Sequence, residues 1–283
     1  GISANYKTNY WSSENQVAVI EADEYDRSFL KLNPDVAVLT AMDPDHLDIY
    51  GTAAEVEAAF IQYTKNIKPD GTLWYKHGLK RGSELSATNK HSYSLQNSGA
   101  NAFAKNIVMK NGGYIFDVQG NGWIIHDIHL QIGGMHNVEN AVVAIAVAKT
   151  LDLTDHEIRA AVGNFKGVKR RFEYLVKNKS AVYIDYYAHH PEELASLIKS
   201  PKTLFSKKRC VVAFQPHLFS RTKDFAEGFA KALDMADEVI LLDIYPAREL
   251  PMEGVTSQMI ADLMGNPNVT ILSKESLISY SEN

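Results

Sequence analysis

Two short apolar runs near the start of the chain place the strongest constraint on its fold. Residues 17–20 (VAVI) and 36–40 (VAVLT) are rich in β-branched side chains, and each run leads into an acidic turn. Apolar runs this short are typical of strands buried within a parallel sheet. In open α/β sheets, ligands bind beyond the carboxyl ends of the strands. We therefore expect Glu21 and His46, which follow the two runs, to project into one crevice.

Glu21 and His46 are of residue types that bind divalent cations. A carboxylate and an imidazole at neighbouring strand ends can hold a cation that also contacts phosphate oxygens. The alternative is that the acidic turns cap helices and face water. The residues alone leave both interpretations open.

Composition narrows the class of protein. The 283 residues suffice for two domains with a real core, and the net charge is −5 with no polybasic run. This balance argues against partners such as nucleic acid or an anionic membrane surface. The single cysteine, Cys210, excludes an internal disulfide, and its apolar surroundings predict a buried structural thiol. No stretch is long enough to span a bilayer, so we expect a cytoplasmic protein.

Residues 21–30 (EADEYDRSFL) and 43–50 (DPDHLDIY) resemble the central ATP-binding domain of the Mur ligase family. The resemblance implies that Glu21 and His46 help to hold Mg²⁺ at the ATP phosphates. The family also carries a Gly-x-x-x-x-Gly-Lys-Ser/Thr phosphate loop upstream, after a domain that binds a UDP sugar, and the sequence contains no such loop. We therefore expect a fragment that lacks this front part. This fragment alone should be inactive as a ligase, because it has no phosphate loop to bind the β- and γ-phosphates of ATP.

The stretch after the acidic turns predicts a mixed sheet. Thr52 and Glu55 fit a capping box for a helix that ends before residue 69, and residues 72–75 form a following strand. Turn signals at residues 111–112 and 121–122 (both Asn-Gly) predict β-hairpins. A second capping box, Thr154 with Glu157, predicts a helix that ends near residue 162.

Residues 133–140 (GGMHNVEN) open the strongest predicted helix, which continues to residue 150. The free backbone N–H groups of a helix start suit phosphate or nucleotide binding. Asn137 and Asn140 share one face of its first turn, although the residues alone favour Asn137 as an N-cap and Asn140 as a merely polar residue. The segment matches the family pattern Gly-x-His-Asn-x-x-Asn. The resemblance implies that both asparagines, with His136, lie at the nucleotide.

Three consecutive basic residues, 169–171, mark a domain junction between a helix and a new strand. Such a run is usually a solvated face. An arginine in a crevice between domains can instead clamp the γ-phosphate and offset charge during phosphoryl transfer. The family pattern Gly-x-x-Arg-Arg-Phe carries such an arginine, and it maps onto Arg171.

Strand and helix signals alternate again from residue 173, which predicts a second doubly wound domain. Its first strand ends in residues 185–191 (DYYAHHP), which resemble the family's Asp-Asp-Tyr-Ala/Gly-His-His-Pro turn. His189 and His190 lack an obvious third ligand for zinc. The family's second Asp, which serves the nucleotide site, falls at Tyr186. Either Asp185 substitutes for it by a register shift, or the protein handles ATP differently, or the chain carries a substitution.

Two further strand ends carry polar motifs. Residues 214–222 (FQPHLFSRT) resemble the family's Phe-Gln-Pro-His-x-x-x-Arg-Thr, in which some relatives have a second arginine where Leu218 stands. Carboxylate recognition would then depend on Arg221 with His217. Residues 243–249 (DIYPARE) also resemble the family. Arg248 there fits substrate binding or a surface ion pair equally well.

The predicted architecture is α/β, with a partial Mur ligase central domain of mixed sheet (residues 1–168) and a Rossmann-like C-terminal domain (residues 169–283). The family's C-terminal domain usually continues further than residue 283. The resemblance implies ATP-dependent ligation of L-alanine to UDP-N-acetylmuramate through an acyl phosphate, in peptidoglycan precursor synthesis. The alternatives are a ligase that recycles muropeptides and a catalytically silent binding module, the latter suggested by the missing loop and Tyr186.

The roles implied by the resemblance are as follows. The catalytic residues are Arg171, His189 and His217, the nucleotide-binding residues are His136, Asn137, Asn140 and Arg171, the substrate-binding residues are Tyr187, Arg221 and Arg248, and the Mg²⁺ ligands are Glu21 and His46.

Overall fold

The computed structural model describes residues 1–43 and 47–281. Its first lobe is built on one six-stranded sheet in the order β1-β2-β3-β4-β5-β6. The strands are β1 Val36–Leu39, β2 Thr72–Lys76, β3 Asn89–Ser94, β4 Ala102–Lys110, β5 Gly113–Gly120 and β6 Trp123–Leu130. Strands β1 to β4 pair in parallel, whereas β4, β5 and β6 pair as antiparallel hairpins. The predicted mixed sheet and both hairpins are therefore confirmed.

Four helices accompany this sheet: α1 Leu47–Tyr50, α2 Ala53–Thr64, α3 Met135–Thr150 and α4 Asp155–Asn164. Thr52 caps α2 by accepting a bond from the Glu55 backbone N–H, and Thr154 with Glu157 forms a full capping box on α4. Both predicted helix starts are thus confirmed. The apolar face of α3, which includes Val138, Val142 and Ile145, packs on the core side of β3 to β6.

The prediction of a buried strand over residues 17–20 was wrong. These residues form no strand, and the Val19 side chain is 94% exposed. The physical reason is that β1 is an edge strand. It pairs with β2 on one side, and no strand in the described ranges pairs with β1 on the other side. A run without a neighbouring strand has neither ladder hydrogen bonds nor a buried face, so its apolar pattern alone does not fix a strand.

The second lobe contains two small sheets. A parallel sheet of order β11-β10-β9 is formed by β9 Val211–Phe214, β10 Glu238–Leu242 and β11 Val269–Leu272, and an antiparallel pair is formed by β7 Glu173–Lys177 and β8 Val182–Asp185. The helices are α5 Pro191–Leu204, α6 Phe219–Leu233, α7 Ser257–Ala261 and α8 Lys274–Ser281. Strands and helices alternate through this lobe as predicted, although β8 pairs with β7 in a separate antiparallel sheet. Helix α8 was not predicted.

Apolar faces of α5, α6 and α7 cover β10, the central strand of the parallel sheet. Leu194, Phe229, Val239 and Ile260 are each at most 1% exposed in this core. The chain leaves β8 and β9 at the ends where α5 and α6 begin, which places their polar turns on one edge. No helix of the described residues is long and apolar enough to cross a membrane.

The two lobes meet where Phe172 packs on Gly133. The Phe172 side chain is 0% exposed, and a Cβ atom built on Gly133 would lie 2.2 Å from its Cε1 atom. Only a glycine allows this approach, because real Cβ contacts are never so short. The glycine pair before α3 therefore serves the junction between the lobes as well as the helix start.

Candidate active site between the two lobes

Arg171 is presented by a sharp turn at the junction. Its neighbours Arg170 and Phe172 both have left-handed backbone, with φ of 58° and 59°. Such φ values are uncommon outside glycine and persist where packing fixes them. Here burial of Phe172 fixes the turn, and Arg171 beside it is exposed.

A cavity of about 240 Å³ lies beside this turn. It is lined by Lys169, Arg170, Arg171, Tyr186, Tyr187, His189 and Glu193. The β8 turn is tied to the junction because the Tyr187 N–H donates to the Arg170 carbonyl at 2.8 Å. The structure thus brings the predicted residues Arg171, Tyr187 and His189 together. Three cationic side chains beside one carboxylate make the cavity suited to an anionic ligand.

His136 connects the first lobe to this cavity. Its ring meets that of Tyr186 edge-on, and burial together with the charge of Arg171 lowers the pKa of His136. Burial also raises the pKa of the Tyr186 hydroxyl, with Glu193 adding to the shift. Both groups are therefore neutral near pH 7, and the fixed positive charge at this point is the guanidinium.

Asn137 lies on the first turn of α3, as predicted, whereas Asn140, the sixth residue of the helix, lies on its second turn. Gly134 occupies the N-cap with φ of 91°, so Asn137 is not the cap of this helix. The Asn137 carboxamide donates to the Gly133 carbonyl at 2.7 Å, which fixes its side chain at the lobe junction. Asn140 is exposed on the same face, and no hydrogen bond joins its side chain to another described residue. It is available to a ligand.

Glu21 lies near Arg171, whose charge contributes to its electrostatic environment. The carboxylate is 77% exposed and ionised. His46 lies outside the described residues. Among residues 1–43 and 47–281, no cluster of three His, Cys, Asp or Glu side chains could hold a metal alone.

A ladder of four rings extends from the cavity across the ends of β8, β9 and β10. His189 packs on Tyr187 (5.2 Å between centroids), Tyr187 on His217 (5.9 Å), and His217 stacks on Tyr245 (5.5 Å). The Nδ1 atom of His217 is buried and has no hydrogen-bond partner in the described part of the chain. Burial, then Arg221 and His189, lower the pKa of His217. This ring is a neutral imidazole at pH 7 with an unused polar atom.

Arg221 and Arg248 lie in different structural surroundings. Arg221 lies on the first turn of α6. Burial, then the charge of Arg221, lowers the pKa of His217, and hydrogen bonds from Ser220, with a smaller contribution from Arg221, lower the pKa of Glu249. The Glu249 carboxylate is hydrogen-bonded to Ser220, whose backbone N–H donates to Oε2 of Glu249 at 3.0 Å. Arg248 is exposed and does not line the cavity, and no ion pair joins it to another described residue. Its predicted substrate role stays a prediction.

Two carboxylates of the site were missed by the sequence reasoning. Glu193 accepts the His189 backbone N–H at 3.1 Å and lies 3.5 Å from its Nδ1 atom. Glu139 binds Lys76 Nζ at 2.9 Å and the Leu95 backbone N–H at 3.2 Å, which ties α3 to the ends of β2 and β3. An acidic residue in the first turn of a helix was the available signal for Glu193.

Comparison with known proteins defines the class to which this fold and site belong. Residues 6–148 match the Mur ligase middle domain, and residues 170–281 match the Mur ligase glutamate ligase domain. The chain belongs to the Mur ligase family. The boundary at residues 168 and 169 stays a prediction.

Among individual relatives, similarity is high to UDP-N-acetylmuramate–L-alanine ligases. The chain is 44% identical over 279 residues to that of Flavobacterium johnsoniae, which covers 99% of this chain and 60% of the relative. It is 44% identical over 285 residues to that of Porphyromonas gingivalis, with 99% and 62% covered. The chain therefore spans about 60% of the length of these relatives.

Solved structures agree with this placement. The crystal structure of UDP-N-acetylmuramate–alanine ligase from Thermotoga maritima matches with a TM-score of 0.74 at 25% identity, over 92% of this chain and 56% of that one. Folylpolyglutamate synthase of Mycobacterium tuberculosis, solved with ADP, matches with a TM-score of 0.68 at 20% identity, over 88% and 56%. The latter similarity shows a shared fold alone.

Proposed function

We propose that the protein containing this chain joins L-alanine to the carboxylate of UDP-N-acetylmuramate at the expense of ATP, in peptidoglycan precursor synthesis. The identity of 44% to ligases with this activity supports the proposal. The observation that carries it is the cavity in which Arg171 from the junction meets Tyr187 and His189 from β8. A cytoplasmic location is part of the same proposal.

The first turn of α3 is the proposed nucleotide site. Its start offers backbone N–H groups to an anion, His136 and Asn137 lie on this turn, and Asn140 lies on the next. A neutral His136 can donate to or accept from a base without repelling Arg171. Arg171 would then bind the transferred phosphoryl group, where charge develops during the reaction.

Amide synthesis from a carboxylate proceeds by activation and attack. The sugar carboxylate attacks the γ-phosphate of ATP to give an acyl phosphate and ADP, the amine of alanine attacks the acyl carbon, and the tetrahedral intermediate collapses as inorganic phosphate leaves. The attacking amine must first lose a proton. His217 is neutral at pH 7 and has an unpartnered nitrogen, so it is our candidate base, and Arg221 our candidate for binding the alanine carboxylate. His189 and Tyr187 would hold the substrate between them.

Glu21 is a suitable Mg²⁺ ligand, since this ion binds one or two carboxylates and completes its coordination shell with phosphate oxygens and water. The exposed, ionised Glu21 supplies one such carboxylate, and His46 is the second proposed ligand. When bound, Mg²⁺ would neutralise phosphate charge. Arg248 remains a proposed contact to substrate.

The test is phosphate release by the full-length protein with ATP, UDP-N-acetylmuramate and L-alanine. We expect release to require all three, and His217→Gln to lower kcat by about 100-fold or more, as for loss of a general base. His129→Gln, on the exposed edge strand β6, is the matched control and should leave the rate unchanged. Phosphate release that does not depend on L-alanine would refute the ligase proposal. Binding of ATP without turnover would support the silent binding module, which Tyr186 favours.

A further inference from the structure

The turn of the β4–β5 hairpin, far from the cavity in sequence, lies against the second lobe. Tyr174 on β7 donates its hydroxyl to the Gly112 carbonyl at 2.6 Å, which joins residues 62 positions apart. The Tyr174 side chain is partly buried, and burial raises the pKa of its hydroxyl, so it remains a donor at any physiological pH. A hydrogen bond that is partly shielded from water in this way holds its two partners at a defined separation.

Side chains of the second lobe enclose the same turn. Lys177 Nζ lies 4.3 Å from the centroid of the Tyr174 ring, and the Phe205 ring meets that ring edge-on at 6.3 Å. Gly112 has φ of +71°, and a Cβ atom there would lie 2.8 Å from both Lys177 Cε and Phe205 Cζ. The contact therefore needs a glycine, because its bare backbone is what the second lobe touches.

The same aromatic cluster reaches the first lobe at a second place. Tyr174 packs edge-on against Phe172 at 5.6 Å, and Phe172 fills the space over Gly133. The rings of Phe172, Tyr174 and Phe205 thus contact the first lobe at Gly112 and at Gly133. Two separated contacts restrict rotation of the second lobe relative to the first, whereas a single chain connection would leave that rotation free.

We propose that Tyr174 is a positioning residue: its bond to Gly112 sets the orientation of the second lobe on the first, and with it the placement of Arg171 and His189 opposite the first turn of α3. The effect on catalysis rests on the proposed function, whereas the effect on orientation does not. Tyr174 itself does not line the cavity.

The orientation is tested in the full-length protein with a pair of matched glycine variants. Gly112→Ala adds a methyl group at the interface, and Gly122→Ala adds one in the next hairpin turn, where φ is +78° and nothing lies within 4 Å. Both variants carry the same backbone strain, so only the contact differs. Nitroxide labels at Lys65→Cys and Glu227→Cys, in a Cys210→Ser background, report the distance between the lobes by pulsed electron resonance. Gly112→Ala should shift or broaden the distribution, and Gly122→Ala should not. Identical distributions would overturn the proposal.

Kinetics provide the second readout. Tyr174→Phe removes only the donor, and Tyr183→Phe, 59% exposed on β8, is its control. We expect Tyr174→Phe to lower kcat about 3- to 10-fold, the loss typical of one hydrogen bond, with KM for ATP within about 2-fold. An equal change in both variants would refute a positioning role. If the parent shows no ligase activity, the proposed function fails, and the label distances alone decide the role of Tyr174.

Discussion

The ring of Tyr186 meets the ring of His136 edge-on, with centroids 6.4 Å apart and planes at 81°. This contact joins the end of β8 in the second lobe to the first turn of α3 in the first lobe. It places a phenol where the family pattern has an aspartate, and it lies at the edge of the cavity that Arg171 lines. The departure from the pattern is thus a packing contact between the lobes.

A double-mutant cycle measures this contact. Tyr186→Ala and His136→Ala each remove one ring, and we expect a coupling of about 0.5–1.5 kcal/mol between them in the free energy of unfolding, as for other edge-on ring pairs. Tyr186→Phe keeps the ring and should retain the coupling. Additive single-variant effects in urea titrations would show that the two rings do not interact.

Gly133→Ala should destabilise the junction. Its Cβ atom would lie 2.2 Å from Phe172, which is fully buried and cannot withdraw without moving the turn that presents Arg171. We expect a loss of about 1–3 kcal/mol in the free energy of unfolding, as for an overpacked core.

The matched control for that variant is Gly163→Ala on α4. A Cβ atom there approaches nothing closer than 3.9 Å, and alanine favours a helix, so stability should rise by up to about 1 kcal/mol. Urea titration measures both variants. Equal stability of Gly133→Ala and the parent would contradict the packing described at the junction.

Stability should fall between pH 7.5 and 5.5 because two histidines resist protonation in the folded chain. Burial lowers the pKa of both His136 and His217, with Arg171 adding to the first shift and Arg221 to the second. The unfolded chain binds these protons near pH 6.5, so the contribution to stability is present above that pH and is lost as the pH falls through the folded-state pKa values.

Substitution isolates this pH effect. His136→Gln should reduce the loss of unfolding free energy between the two pH values, whereas His156→Gln, on the exposed surface of α4, should not. The measurement is urea unfolding at pH 7.5 and 5.5 for each variant. A pH dependence in His136→Gln equal to that of the parent would count against a buried, neutral ring.

Much of the fold follows from local sequence signals. The capping box of Thr154 and Glu157 and the two Asn-Gly turns specify their elements almost alone, and all are present in the structure. Residues 17–20 show the limit of such signals, because burial of a strand depends on a neighbour that no local pattern reveals. Helix α8 was missed since its polar sequence carries a weak apolar period.

The residues of the candidate site also fall into two groups, those that sequence motifs located and those that they missed. Family motifs located Arg171, which lies in a basic run, and His189 and His217, which follow strand ends. Glu139 and Glu193 were missed, since their importance comes from side-chain contacts made across the fold. The contact of Tyr174 with Gly112 likewise joins segments whose proximity depends on how the lobes pack.

The central claim is that one nucleotide contacts both lobes, and the most direct measurement is a crystal structure of the full-length protein with Mg²⁺ and a non-hydrolysable ATP analogue. We predict that the analogue lies on the first turn of α3, with Asn137 and Asn140 at the base and the Arg171 guanidinium within hydrogen-bond distance of its γ-phosphate. An analogue bound elsewhere, with Arg171 and His189 directed into separate solvent regions, would contradict the account.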